Sequence, residues 1–330
     1  MSDSSDSSDS ADLFGPVARD LVAVETALRL EIEADPPVVA PPMADLFAAG
    51  GKRIRPALVL LSARFGDCEP DRLAAAAMAV ELTHAATLVH DDVIDRSAVR
   101  RGRPTVAARL GDEPAIVIGD FYFAKAYELA SRTASPHVVS ILAHAVMDVC
   151  AGEVHQQAVR YRYSTGVDEY MRRIEAKTAT LLAACCDIGA LLGGLGDLQR
   201  DALREYGRLL GLAFQIADDV LDFVGTEGEI GKPIGHDIAE GFSTLPLMLA
   251  RQDGAVAARL DKILLDGRKL GAAAAREVCA LVRDSHGPRL ALAQARDHAQ
   301  AARDQLNNLL AGEPSSTLAA IAAYVVSRKL

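Results

Sequence analysis

The sequence contains one acidic pattern twice, as Asp91-Asp92-Val93-Ile94-Asp95 and as Asp218-Asp219-Val220-Leu221-Asp222. Each copy, called an aspartate word below, ends a long apolar run with helical periodicity. On a helix the first and fifth residues of such a word share a face, and the second lies beside them. Three carboxylates on one patch repel one another unless cations neutralise them, and all-oxygen ligands suit a hard divalent ion such as Mg²⁺. Because Mg²⁺ held by few carboxylates usually also binds phosphate oxygens, the pattern predicts a metal–diphosphate site.

An aspartate word could also be an ordinary solvated helix end, since acidic side chains are mostly exposed in folded proteins. Carboxylates at a helix C-terminus, however, lie at the negative end of the helix dipole and so reduce the stability of the helix. Two copies, each following an apolar helix, therefore favour a functional interpretation over a structural one.

Composition limits the classes of protein to which the chain can belong. Half of its 330 residues are apolar, aromatic residues make up only 5%, and Ala and Leu are abundant, which favours a helical protein with a substantial core. With 35 basic and 45 acidic residues the net charge is −10, which argues against a nucleic-acid partner. Five cysteines without zinc-site spacing are typical of reduced, buried thiols, so we expect a cytoplasmic protein.

Helical periodicity recurs along almost the whole chain, and no alternating run typical of a strand stands out. The acidic, Ser-rich start predicts a disordered tail over residues 1–11, followed by a single all-helical domain over residues 12–330. The apolar run 73–89 includes an acidic residue and a histidine, which suits a buried helix better than a transmembrane segment. The glycine-rich segment 225–241 predicts a mobile flap beside the second word. We predict helices at about 12–34, 43–65, 71–95, 114–132, 136–160, 168–194, 199–224, 243–252, 254–265, 272–285, 288–310 and 315–328.

Longer stretches around the two words resemble a known family. They are HDDVIDRSAVRRGRPT at 90–105, FQIADDVLDFVG at 214–225, GKPIGHDIAEG at 231–241 and TLPLMLA at 244–250. In order and separation they are similar to the trans-isoprenyl diphosphate synthase, or polyprenyl synthetase, family, in its medium- to long-chain form. The resemblance implies an all-α, single-domain helical bundle of the isoprenoid synthase type with a central active-site cavity.

The resemblance also implies a reaction. In such enzymes an allylic diphosphate loses its diphosphate to leave a carbocation, the double bond of isopentenyl diphosphate attacks that cation, and a proton is lost. Metal ions stabilise the departing diphosphate, which itself takes up the proton. The metal ligands implied are six carboxylates, those of Asp91, Asp92 and Asp95 for two Mg²⁺ ions and those of Asp218, Asp219 and Asp222 for a third.

Basic residues at the start of a helix, as in Gly51-Lys52-Arg53-Ile54-Arg55, form a natural anion site. The resemblance assigns isopentenyl diphosphate to Lys52, Arg55, His84 and Arg101, and the allylic diphosphate to Arg100, Lys177 and Lys232. It also implies that Lys177, Thr178 and Gln215 act in catalysis, the last two by turning oxygen atoms toward the developing cation. Without the resemblance, the basic residues could equally complement helix dipoles, and His84 and Gln215 could be satisfied core residues.

One position departs from the family pattern. Many members have a second flap lysine where this chain has Phe242, in the segment EGFSTLP. Because a phenylalanine side chain cannot bind phosphate, either the remaining basic residues and the metal ions suffice, or the allylic diphosphate binds more weakly.

Small residues on the helix of the first word bear on product length. Ala86 and Thr87 lie one turn before Asp91, where short-chain relatives tend to have aromatic residues that block chain growth. One helical turn is about 5.4 Å long, roughly the length of an isoprene unit, so small residues here predict an all-trans product of about C30 to C50. By analogy, products of that length become quinone side chains.

Other interpretations stay open at this point. The chain could be a shorter-chain synthase, or a class I terpene cyclase, which shares the fold and the first word but normally has a different second metal motif. It could be one subunit of a two-component synthase, although such subunits typically lose aspartates or arginines that this chain keeps, or a purely structural helical protein. Because the family is usually homodimeric, we expect a homodimer, with apolar stripes at 114–132 and 136–160 as candidate contact surfaces.

Overall fold

The computed structural model describes residues 13–225 and 235–327. Over these residues the fold is all-α, as predicted, apart from one short two-stranded hairpin. The predicted tail 1–11 and the flap residue Lys232 lie outside the described residues.

The elements are numbered here in chain order. The first are α1 (Ala18–Glu33), α2 (Ala40–Ala48), α3 (Ile54–Ala63), α4 (Pro70–Ile94), β1 (Val99–Arg100), β2 (Arg103–Pro104), α5 (Val106–Leu110), α6 (Asp112–Ser131) and α7 (Pro136–Ala158). They are followed by α8 (Val167–Ile174), a π-helical segment (Glu175–Ala179), α9 (Thr180–Leu192), α10 (Asp197–Val224), α11 (His236–Ala239) and α12 (Leu245–Ala250). The last are α13 (Gly254–Ile263), α14 (Ala272–Arg283), α15 (Gly287–Gln305) and α16 (Glu313–Ser327).

The described residues group into two compact units, and the first has α4 at its centre. This unit comprises the described residues up to Val146 together with Ala184–Arg204 and Leu306–Leu318. Helix α4 packs mainly against α6 and also contacts α3 and α1. Its alanine-rich face allows this close packing, since side chains such as Ala76 and Ala77 are completely buried.

His90 joins α4 to α6 near the first aspartate word. Its Nε2 atom lies 3.0 Å from the carbonyl oxygen of Ile116 on α6. Gly119 makes this approach possible, because a Cβ atom there would lie only 2.1 Å from His90 Nε2. The end of α4 that carries the word is therefore fixed against α6.

The second unit holds the helix that carries the second word. It comprises Met147–Ala183, Glu205–Gln305 and the described residues from Ala319 onward. Within it, one face of α10 is buried against α8, α12 and α15 through a core that includes Tyr170, Leu212, Ile216, Val220, Leu245 and Leu292. A second core surrounds Tyr163 and Phe223 and is completed by α13 and α14. The prediction of one domain over residues 12–330 stays a prediction.

The predicted helix 43–65 is wrong as a single element, because it is divided into α2 and α3. Gly50 has a φ of 84° and Arg53 a φ of 49°, and these left-handed values interrupt a right-handed helix. The glycine pair Gly50-Gly51 was the sequence signal for this break.

Other local elements were also missed. In the hairpin Val99 pairs with Pro104 and Arg100 with Arg103, a strand pair too short for an alternating pattern to reveal. The short helices α5 and α11 were not predicted either, and the helix predicted over 168–194 contains the unpredicted π segment.

Two of the described helices, α4 and α7, are long and apolar enough to cross a membrane by length and hydropathy alone. In α4 the most apolar window is 72% buried, which identifies it as the core helix predicted from the sequence, whereas in α7 that fraction is 22%. Because core helices of soluble proteins pass the same test, these two helices are weak evidence for a membrane span.

The cysteines differ in burial from the sequence expectation. Cys185, Cys186 and Cys279 are buried as predicted, but Cys68 is half-buried and Cys150 is exposed. None of the five forms a disulfide.

Candidate active site

The first aspartate word closes helix α4. Asp91 and Asp92 belong to its last turn, and Asp95 follows directly, with its amide donating to the Asp91 carbonyl oxygen at 2.8 Å. The helix therefore continues through the word, as its periodicity predicted. Asp92 is 2% exposed, whereas Asp91 and Asp95 are half-buried.

Arg100 is the partner of the buried Asp92. Its Nε and Nη2 atoms both lie 2.8 Å from Asp92 Oδ1. The hairpin that follows α4 brings Arg100 back to the word, helped by the Ser97 amide, which donates to the Asp92 carbonyl oxygen at 2.9 Å. A residue assigned by the resemblance to a substrate phosphate thus neutralises a carboxylate assigned to a metal ion. The pair gives the buried Asp92 a counter-charge.

The positive charges of four arginines act on His84 in α4. The pKa of His84 lies well below its usual value. Burial is the largest cause, and the positive charges of four arginines add to it, namely Arg55, Arg101, Arg100 and Arg53. His84 is therefore a neutral imidazole at pH 7. Several guanidinium groups around a neutral side chain create a positive potential that attracts a multiply charged anion.

Arg55 shows most directly that this cluster is suited to a ligand. Its Nε atom is shielded from solvent and has no hydrogen-bond partner among the described residues. A buried donor without a partner typically costs about 1–3 kcal/mol, a cost that an anionic ligand would remove. His84 and Arg101 line one shallow pocket, and Lys52 lies exposed in the loop before α3. The first unit thus brings Arg55, His84 and Arg101 together.

Arg53 and Glu81 belong to the same cluster and were not singled out in the sequence. Arg53 Nη1 donates to Glu81 Oε1 at 2.9 Å, and Arg53 Nε donates to Glu25 Oε1 at 2.6 Å. Glu81 is 7% exposed and supplies a buried counter-charge to the arginines. An acidic residue inside the apolar run of α4, three positions before His84, was the signal that pointed to it.

The second aspartate word lies in the last two turns of α10. Asp218 is exposed, whereas Asp219 and Asp222 are buried. Asp222 accepts hydrogen bonds from the backbone amides of His236 at 3.1 Å and Asp237 at 3.2 Å, at the start of α11. Asp219 accepts from Gln215 Nε2 at 2.8 Å and from the Tyr170 hydroxyl at 2.6 Å.

The π segment carries Lys177 and Thr178. A π turn widens the helix and shifts the side chains that follow, and such turns are frequent at functional sites. The segment can lie close to α10 because Gly211 has no side chain: a Cβ atom there would lie 2.4 Å from Ala179 Cα. A similar approach exists at Gly152 on α7, where a Cβ atom would lie 2.7 Å from that of Ala176.

Hydrogen bonds fix the functional groups of the π segment. Thr178 Oγ1 donates to Gln215 Oε1 at 2.7 Å, so the amide of Gln215 is turned with its nitrogen toward Asp219. Lys177 Nζ donates to Glu153 Oε2 at 2.8 Å. Burial raises the pKa of Glu153. Lys177 and two glutamines lower it by a larger amount, so the pKa of Glu153 lies below its usual value. Glu153, like Arg53 and Glu81, was not singled out in the sequence.

The buried carboxylates of the second word fit a divalent cation by their chemistry. Burial, and next the negative charge of Asp237, raise the pKa of Asp219 to about 7 and that of Asp222 to about 8. Burial and a neighbouring negative charge thus outweigh the groups that favour the ionised form, and hard oxygen donors are the ligands that Mg²⁺ and Ca²⁺ prefer. Within residues 13–225 and 235–327, no three His, Cys, Asp or Glu side chains already converge as metal ligands. Asp92, Asp219 and Asp222 are instead held by protein donors.

The two residues predicted to affect product length are both small and lie on α4. Ala86 is completely buried, and Thr87 is half-buried with its hydroxyl donating to the His84 carbonyl oxygen at 2.7 Å. Their influence on product length stays a prediction.

Phe242, the departure from the family pattern, is surrounded by basic residues. The guanidinium carbon of Arg160 lies 5.6 Å from the centre of its ring, and that of Arg173 lies 6.0 Å from it. Both distances are within the range of cation–π interactions. The position thus has two positive charges beside it, although it has none of its own.

Comparisons with known proteins agree with this geometry. A sequence profile described as polyprenyl synthetase matches residues 36–281. The chain is 36% identical over 310 residues to heptaprenyl diphosphate synthase component 2 of Bacillus subtilis, which covers 94% of this chain and 88% of that protein. It is 35% identical over 311 residues to octaprenyl diphosphate synthase of Haemophilus influenzae, covering 94% of each. A crystal structure of polyprenyl synthase from Caulobacter crescentus, complexed with calcium and isoprenyl diphosphate, matches with a TM-score of 0.91 at 35% identity, covering 97% of this chain and 98% of that one.

Proposed function

The chain belongs to the polyprenyl synthetase family, and from that premise we propose that it is a Mg²⁺-dependent trans-polyprenyl diphosphate synthase. It condenses an allylic diphosphate with successive molecules of isopentenyl diphosphate. In each step the carbon–oxygen bond of the allylic substrate breaks, and its electron pair leaves with the diphosphate. The double bond of isopentenyl diphosphate supplies the electrons of the new carbon–carbon bond, and the proton lost from the adjacent carbon goes to the released diphosphate.

The arginine cluster around His84 is the observation that carries this proposal. Arg55, Arg101 and His84, together with Lys52, bind the diphosphate of isopentenyl diphosphate. Two observations support this role. The Nε atom of Arg55 has no hydrogen-bond partner in the described part of the chain, and the arginine charges that help to lower the pKa of His84 create a positive potential that favours an anion. A cyclase that uses a single diphosphate substrate has no need of such a second anion site.

The carboxylates of both words are the proposed ligands of divalent cations: Asp91, Asp92 and Asp95 in the first, and Asp218, Asp219 and Asp222 in the second. When bound, these cations would neutralise the charge that develops on the departing diphosphate. The buried carboxylates of Asp219 and Asp222, whose pKa values are raised by burial and by the charge of Asp237, support this assignment, and the related Caulobacter structure was solved with calcium. Arg100, Lys177 and Lys232 are the proposed basic contacts of the allylic diphosphate.

Thr178 and Gln215 are proposed to stabilise the carbocation, but through one oxygen rather than two. Because the Gln215 amide oxygen accepts the Thr178 hydroxyl hydrogen, the lone pairs of Thr178 Oγ1 remain directed elsewhere and are the better candidates to face positive charge. Gln215 then serves mainly to orient that hydroxyl.

For the product we propose a chain of about C30 to C50, because Ala86 and Thr87 are small and each turn of α4 corresponds to roughly one isoprene unit. Quinone side chains are the proposed use of such a product, and the cytoplasm is the proposed location. A homodimer is proposed as well, and the exposed apolar side chains Met147 and Val154 on α7 support a protein contact there.

Product analysis tests the function. The purified chain is incubated with labelled isopentenyl diphosphate, Mg²⁺ and primers of ten, fifteen or twenty carbons, and the products are sized after removal of the diphosphate. We expect linear prenyl chains whose formation stops when EDTA is added. Cyclic hydrocarbon, or no labelled product with any primer, would contradict the proposal.

A second candidate function is that of one subunit in a two-component synthase, favoured by the name of the Bacillus subtilis relative, which is a component 2. The same assay separates the two. Condensation by the purified chain alone supports a self-sufficient enzyme, whereas activity that appears only after adding a second polypeptide supports the subunit interpretation.

A further inference from the structure

Tyr170 makes a short hydrogen bond inside the core of the second unit. Its hydroxyl donates to Asp219 Oδ2 at 2.6 Å, and both residues are buried, with 1% and 4% of their surfaces exposed. The two lie 49 positions apart in the sequence. A buried hydroxyl bonded to a carboxylate is a charge-assisted interaction, which is among the stronger hydrogen bonds in proteins.

Asp219 is thereby held at both oxygens. Gln215 Nε2 donates to Oδ1 at 2.8 Å while Tyr170 donates to Oδ2, and Gln215 is itself oriented by Thr178. Each carboxylate oxygen has two lone-pair sites, so one site on each oxygen is taken and one remains. The two donors fix the rotamer of the side chain without using all of its capacity to accept.

Arg173 and Phe242 hold the ring of Tyr170 from behind. The guanidinium carbon of Arg173 lies 5.5 Å from the centre of the Tyr170 ring, and Arg173 Nη2 donates to the Ser243 carbonyl oxygen at 2.7 Å. Phe242 lies against the same guanidinium at 6.0 Å and against that of Arg160 at 5.6 Å. The stack therefore runs from Phe242 through Arg173 to Tyr170 and ends on Asp219.

We propose that Tyr170 is a positioning residue that fixes Asp219 for a divalent cation, and that Phe242 supports it through Arg173. The inference rests on the proposed role of Asp219 as a metal ligand. It gives Phe242 a task at a position where a lysine was expected: the ring carries no charge, but it packs on Arg173, which packs on the ring of Tyr170, and Tyr170 orients the carboxylate. Groups of this kind around a metal site commonly affect metal affinity about 10- to 100-fold.

The variant Tyr170→Phe tests the hydroxyl and keeps the ring that stacks on Arg173. Tyr163→Phe is its matched control, because Tyr163 is also completely buried in the second unit and its hydroxyl donates to the Arg268 carbonyl oxygen at 3.0 Å. Both variants lose one hydrogen bond donated by a tyrosine hydroxyl, and only one of these bonds involves Asp219. Free Mn²⁺ is titrated with each protein in the presence of inorganic diphosphate and followed by electron paramagnetic resonance.

We expect Tyr170→Phe to weaken Mn²⁺ binding by about tenfold or more, and Tyr163→Phe to leave it within about twofold of the wild type. In the condensation assay, the Mg²⁺ concentration for half-maximal rate should rise in parallel for Tyr170→Phe, while KM for isopentenyl diphosphate stays constant. Equal Mn²⁺ affinities for the two variants would overturn the inference.

Phe242→Leu keeps the test decisive if Tyr170→Phe does not fold. It removes the aromatic face, retains an apolar side chain, and should weaken Mn²⁺ binding by roughly two- to fivefold. Unchanged binding in this variant would overturn the role of Phe242. Different results refute the proposed function and this inference. An inactive wild type refutes the function. An active wild type refutes only the inference if Tyr170→Phe and Phe242→Leu bind Mn²⁺ as tightly as the wild type does.

Discussion

Replacing Asp219 by Asn should stabilise the metal-free protein at alkaline pH. The substitution removes a buried negative charge but keeps the shape of the side chain. The Asn carbonyl oxygen can still accept from Gln215, and the Tyr170 hydroxyl can rotate to accept from the new amide. The free energy of unfolding should therefore change mainly through the loss of the charge.

The sign of the effect follows from the direction of the pKa shift. Burial, followed by the charge of Asp237, raises the pKa of Asp219 from 3.8 to about 7. The folded wild type thus binds a proton more tightly than the unfolded chain, and it loses stability as pH rises from about 4 to about 7. A pKa rise of this size corresponds to about 4 kcal/mol. Because Asp222 ionises in the same range, we expect Asp219→Asn to gain about 2–4 kcal/mol over wild type at pH 8 and almost nothing near pH 4.

Urea unfolding in EDTA at pH 4, 5, 6, 7 and 8, followed by circular dichroism, measures the difference. Asp304→Asn is the control, because that carboxylate is exposed and its removal leaves the buried charges unchanged. The control should differ little from wild type at any pH. The reasoning is refuted if the gain from Asp219→Asn does not grow with pH, or if the variant is less stable than wild type at pH 8.

Three further changes have expected outcomes. Gly211→Ala should destabilise the protein by about 1–3 kcal/mol and slow turnover, since the new Cβ would lie 2.4 Å from the Cα of Ala179 in the π segment; wild-type urea stability would show that the segment can move aside. Arg100→Ala should cost about 3–5 kcal/mol because it removes the guanidinium paired with the buried Asp92, and adding Asp92→Asn should recover part of that loss in the same unfolding experiment. Ala86→Phe should shorten the prenyl product seen by chromatography, and an unchanged product length would remove this residue from the growth path.

The positions of the long helices could be predicted from the sequence. Helix α10 lies close to its predicted position because its apolar residues recur at helical spacing over many turns, and α4 does so because its apolar run is too long for a strand. The break between α2 and α3 was missed because that periodicity outweighed the local signal of two adjacent glycines. The π segment could not be predicted, since its extra residue per turn leaves no mark in the apolar pattern.

The residues of the candidate site were likewise predicted only in part. Its motif residues were found because they are contiguous in the sequence, as in the aspartate words and in Lys177-Thr178. The residues that orient them were not found, because their contacts join distant parts of the chain. Tyr170 reaches Asp219 across 49 positions, and Arg53 reaches Glu81 across 28. Such pairs depend on how helices pack, which a single sequence does not specify.

Anomalous X-ray scattering at the manganese edge tests the central claim most directly. Crystals grown with Mn²⁺ and inorganic diphosphate should show anomalous peaks that mark Mn²⁺ ions bound by carboxylate oxygens of both aspartate words. We expect these ions at Asp91 or Asp95 in the first word and at Asp219 in the second. Diphosphate density without manganese at either word, or manganese only at other surface carboxylates, would contradict the account.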